Sequence, residues 1–77
     1  MDMPEHFVSF SGGGYTVSGL VTVTDWEYLH SGAECWIAVH EAQSCDEEGR
    51  LMDLGEIRVL CRDGELAERP PDTPEHP

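Results

Sequence analysis

The stretch that most constrains this chain is Tyr15-Thr16-Val17-Ser18-Gly19-Leu20-Val21-Thr22-Val23-Thr24. Tyr15, Val17, Val21 and Val23 fall on one side of an extended chain, and Thr16, Ser18, Thr22 and Thr24 on the other. A period of two, with β-branched residues on both sides, predicts a half-buried antiparallel strand. Leu20 breaks the polar side, and Gly19 in mid-strand predicts a bulge or a close backbone approach. Ten residues of strand are many for a chain of 77, so the other elements are expected to pair with it or pack over it.

His6-Phe7-Val8-Ser9-Phe10 reads as a preceding strand, joined through Ser11-Gly12-Gly13-Gly14 as a hairpin. After the long strand, Thr24 with Glu27 three residues on has the form of a capping box, and Gly32 suits a helix stop. A helix of about two turns is predicted there, with Trp26 and Leu29 on its buried face and Tyr28 on the other side. Residues 33–42 predict a third strand, apolar on both sides from Cys35 to Val39 and so expected to be covered on both faces. Residues 43–50 read as an acidic loop and Leu51 to Leu54 as a short strand or irregular return. Glu56 to Arg62 is the last full strand, with Ile57, Val59 and Cys61 inward, before an Asp63-Gly64 turn. The expected fold is all-β, or mainly β, in ββαββ order: a small antiparallel sheet or partly open barrel with one short helix, the alternative being α+β. Residues 1–67 are expected to form one domain. From 68 to 77 the chain is rich in proline and poor in apolar side chains, the composition of a disordered tail.

Charge is the strongest functional clue. Sixteen carboxylates face four arginines and no lysine, and nine of the carboxylates precede Arg50, the first cation in the chain. Such a balance argues against binding DNA, RNA or an anionic membrane, which require a basic footprint. It fits a surface that attracts a basic partner. Three cysteines cannot make a complete disulfide set, the start of the chain has no signal-peptide pattern, and no apolar run approaches a membrane span. A cytoplasmic protein with reduced thiols is expected.

Cys35, His40, Cys45 and Cys61 are the most tempting metal set, but their gaps do not form the close ligand pairs of structural zinc sites. Cys35 and His40 are also an odd number apart on one predicted strand, hence on opposite faces. The acidic loop lacks the regular oxygen spacing of a calcium loop. No nucleophile elbow and no cysteine–histidine pair emerge, so no catalytic residue, metal or cofactor is predicted.

What remains is a binding surface. Glu41, Asp46, Glu47, Glu48 and Asp53 place five carboxylates within thirteen residues. With Tyr28 and Glu27 on the helix as neighbouring contacts, they form the predicted partner-binding set. In composition the chain is similar to phage and mobile-element proteins that inhibit host machines, such as anti-CRISPR proteins and DNA mimics. That similarity implies a protein-binding inhibitor, without enzyme activity, that blocks the basic, nucleic-acid-binding surface of a larger host complex such as a CRISPR effector. An accessory or solubilising subunit and a small metal- or ligand-binding β-domain are the alternatives.

Overall fold

Val17 and Val21 are fully buried with Gly19 between them, and the reason for the glycine is space. A Cβ at position 19 would come 2.5 Å from Val39 Cγ1 and 2.8 Å from the His40 carbonyl oxygen on the neighbouring strand. The predicted close approach is therefore real, and the pairing register shifts between Ser18 and Leu20.

The computed structural model describes residues 5–71. The elements run β1 (Glu5–Gly12), β2 (Tyr15–Thr22), α1 (Val23–Ser31), β3 (Cys35–Cys45), β4 (Leu51–Arg62) and β5 (Glu65–Leu66). All neighbours pair antiparallel in the order β1-β2-β3-β4-β5, and the sheet curls into a half-barrel. The mainly β fold expected from the sequence is the fold observed. The curl brings β5 back toward β1, where Gly12 lies directly against Leu66.

One face of the curl holds the core. Val8, Phe10, Val17, Val21, Ile37, Val39, Leu54, Ile57, Val59 and Cys61 are buried there, and Leu29 enters from the helix. Truncating a fully buried residue such as Leu54 to alanine costs about 2–5 kcal/mol in such a core.

The helix departs from expectation at its start. Its N-cap is Thr22, not Thr24: Thr22 is extended, and its hydroxyl accepts the Asp25 N–H at 3.2 Å. The earlier start is held from the sheet side as well, because the Asp25 carboxylate accepts the Ala38 N–H of β3 at 3.3 Å. Gly32 ends the helix in the left-handed region, as predicted. Trp26 packs on the core, between the His6 ring at 4.8 Å and the His30 ring at 4.2 Å.

Three further expectations change. β3 is covered on one face only, since Trp36 is 55% exposed; a sheet with a single helix has no second layer to lay over it. Gln43, Ser44 and Cys45 belong to β3 and not to the loop. Leu51 to Leu54 is not a separate piece, because β4 runs on through an irregularity at Gly55. Of the segment from Glu68 on, residues 72–77 lie outside the described residues. Pro70 is buried, and the Arg69 guanidinium lies 5.6 Å from the centre of the Tyr15 ring.

Candidate functional site

Strand alternation sends the side chains that are not in the core to the outer, convex face. Among the described residues no element covers that face. Cross-strand register assembles it: Phe7 lies opposite Leu20, Leu20 opposite His40, and Trp36 opposite Leu60. Leu20, which breaks the polar side of its strand in the sequence, thus meets an apolar neighbour on the outside. Phe7 is 71% exposed, a large apolar surface to leave in water.

Carboxylates flank these apolar groups. His40 stands between two of them, with Nδ1 3.5 Å from Glu56 Oε1 and Nε2 3.9 Å from Glu5 Oε2. Glu41 follows at the irregularity in β3, with φ of 52°, and is exposed. None of Glu5, Glu41 and Glu56 pairs with an arginine among the described residues.

The predicted partner-binding residues are distributed differently. Asp46 acts within the β3–β4 loop: Oδ1 accepts the N–H groups of Glu48 at 2.9 Å and Arg50 at 3.0 Å, and Oδ2 accepts Arg50 Nε–H at 2.9 Å. The Arg50 backbone N–H, then the Arg50 side chain and the Glu48 N–H, hold the Asp46 carboxyl below the usual carboxylate range. Glu48 Oε1 lies 3.4 Å from Arg50 Nη2, and Glu47 lies against Gly14 in the hairpin turn. Asp53 accepts a hydrogen bond from Gln43 Nε2 at 2.8 Å. Glu27 and Tyr28 are exposed on α1, at the end of the sheet away from this loop. The loop carboxylates come together around Arg50, Glu41 and Asp53 sit along the β3–β4 pair, and the helix residues stay apart. Glu5, Glu56, His40, Phe7 and Trp36 were not in the predicted set. In the sequence the apolar break at Leu20 and the second apolar side of Cys35 to Val39 marked this face.

The candidate metal set is dispersed. Cys35 and Cys61 are register partners on the inner side, His40 is on the outer face, and Cys45 is at the loop end. Among the described residues no group of three or more His, Cys, Asp or Glu is placed to hold a metal. Burial, with Cys35 beside it, pushes the Cys61 thiol up to about 12. Burial and the nearby Asp25 charge raise Cys35. Both are poor sources of thiolate at neutral pH. At the loop end a groove of about 500 Å³ is bordered by Tyr15, Leu51, Met52 and Pro70. The Arg50 charge beside it is already engaged by Asp46 and Glu48.

Geometry and chemistry together define a small curled β domain with an uncovered acidic and aromatic face. Comparison with protein-family models, with curated proteins and with solved structures found no match. No helix among the described residues is long and apolar enough to cross a membrane.

Proposed function

We propose that the protein is a small acidic binding domain whose outer sheet face occupies a basic, nucleic-acid-binding surface of a larger protein and blocks it. The observation that carries this reading is that exposed Phe7 and Trp36 share the outer face with Glu5, Glu41 and Glu56, carboxylates that form no ion pair with an arginine among the described residues. Carboxylates held on a sheet can take the Arg and Lys side chains that otherwise hold phosphates. The aromatic groups supply the desolvated contact that charge alone lacks. A net charge of −12 speeds encounter with a basic surface and disfavours direct contact with nucleic acid.

The test is partner binding by wild type, the E5Q/E41Q/E56Q variant and the F7S/W36S variant. A partner co-purified from the native host is assayed for association kinetics at low and high salt, and for its own nucleic-acid binding. The charge variant is expected to associate more slowly, with a weaker salt dependence, and the aromatic variant to dissociate faster. The partner is expected to lose nucleic-acid binding in the complex. An association rate indifferent to salt and to the triple change would leave the carboxylates as a solubilising coat.

A further inference from the structure

The free edge of β1 is a feature the outer face does not use. Gly13 and Gly14 make a two-residue turn with φ of 60° and 89°. In such a hairpin Gly12 and Tyr15 exchange both ladder hydrogen bonds. Bonding then alternates down the antiparallel pair. Phe10, Val8 and His6 direct their backbone groups to β2, while Ser11, Ser9 and Phe7 direct theirs away from it.

Near Gly12 this edge is met by Leu66 of β5. Toward Phe7 and Ser9, β1 has no strand neighbour except β2 among the described residues. A groove of about 300 Å³ runs there instead, lined by Phe7, Ser9, Phe10, Trp26, Leu29 and His30. Edge strands are commonly blunted by lysine, proline or a bulge, and Glu5–Gly12 contains none of these. The edge therefore offers, among the described residues, unpaired N–H and C=O groups beside an aromatic groove.

The charge around the groove selects the occupant. Glu5 heads β1, and Asp63 and Glu65 stand on either side of Gly64 at the groove's rim, all three exposed. No arginine lines it: Arg50 is in the β3–β4 loop, Arg58 is on β4 and Arg69 lies at Tyr15. Arg62 is the register partner of Glu65 and lies beside Asp63, but its guanidinium is bound to Glu34. A second copy of the chain would bring a further charge of −12 to the same place. Direction follows from topology. In the all-antiparallel order β1 and β5 run the same way, so a strand antiparallel to β1 is antiparallel to β5 too.

We propose that the β1 edge at Phe7 and Ser9 receives an extended basic segment of the partner as an added antiparallel strand. The inference rests on the acidic binding domain proposed above and specifies the partner element. Main-chain hydrogen bonds supply affinity; alternate apolar side chains enter the groove, and the intervening basic ones lie near Glu5, Asp63 and Glu65.

The test uses the full chain and two blocked octapeptides of alternating sequence, valine–lysine and valine–glutamate, followed by NMR. Valine–lysine binding is expected to slow amide exchange at Phe7 and Ser9. S9P removes an N–H that faces away from β2, so it should retain the fold, verified by circular dichroism and the β2 and β3 amide shifts. It should weaken peptide binding about tenfold. F7S, which keeps the backbone donors, should weaken binding without abolishing the exchange protection at Ser9. Equal binding by wild type and S9P, with shifts confined to Trp36 and Leu60, overturns the edge while leaving the charge reading intact. Equal binding of the two peptides at the edge overturns the basic occupant and the charge reading with it. Absence of binding, or protection of Phe7 and Ser9 by dimerisation of the peptide-free protein, overturns the proposal.

Discussion

Two acidic regions of this molecule behave in opposite ways. In the β3–β4 loop the carboxylates are dense in sequence, yet Asp46 and Glu48 are held by Arg50 and by backbone N–H groups. On the outer face Glu5, Glu41 and Glu56 are scattered in sequence, and register gathers two of them around His40. Arg58 is exposed on the same face, opposite Ala38, but forms no ion pair with them among the described residues. A run of charge in a short loop can be satisfied by the loop's own turn. Charge dispersed over separate strands has no turn of its own to satisfy it.

The sharpest way to break the comparison is D46A. It removes the acceptor of two backbone N–H groups and of Arg50, so the thermal midpoint should fall clearly. The E5Q/E41Q/E56Q variant should hold its midpoint or rise, since it relieves self-repulsion. Thermal scans of the two variants at low salt decide this, and equal losses would erase the distinction between the regions.

Acid should show the same asymmetry. The Asp46 carboxyl is lowered in the fold from its ordinary 3.8. Its contribution is complete above that value and is lost as pH falls through the folded one. The midpoint difference between wild type and D46A should therefore shrink from pH 6 to about pH 3, followed by thermal scans across that range.

A smaller effect compares the loop end with the core. Cys45 at the loop end is half-buried, while Cys61 is buried and pushed up to about 12. Thiol titration of native protein should modify Cys45 first and Cys61 only on unfolding. The raised Cys61 value contributes stability that is complete below the ordinary thiol value of 9.0 and is lost as pH rises toward about 12. A C61A variant should therefore lose less stability than wild type over that interval, which chemical denaturation at several alkaline pH values measures.

The smallest effect is expected at His40. Its contacts with Glu5 and Glu56 are long and partly exposed, and such pairs contribute about 0–1 kcal/mol. H40Q should leave denaturant stability within that range, and a larger loss would make the outer-face cluster a folding element.

The alternation from Tyr15 to Thr22 (though not its expected continuation through Val23 and Thr24, which are helical), the Asp63-Gly64 turn, the Gly32 helix stop and the inward set Ile57, Val59 and Cys61 were legible in the sequence. Each depends on local periodicity or on one residue's backbone preference, and these survive without knowledge of the fold. Gly19 announced a close approach, but only packing shows that Val39 and His40 are what approaches. The helix start moved to Thr22 because β3 supplies an N–H for Asp25, a contact thirteen residues distant. Tertiary structure alone decided the rest. It tied the loop carboxylates to Arg50, left Trp36 uncovered, and brought Glu5 and Glu56, fifty-one positions apart in the chain, to either side of one histidine. Cross-strand register brings distant residues together without leaving a spacing that can be read along the sequence.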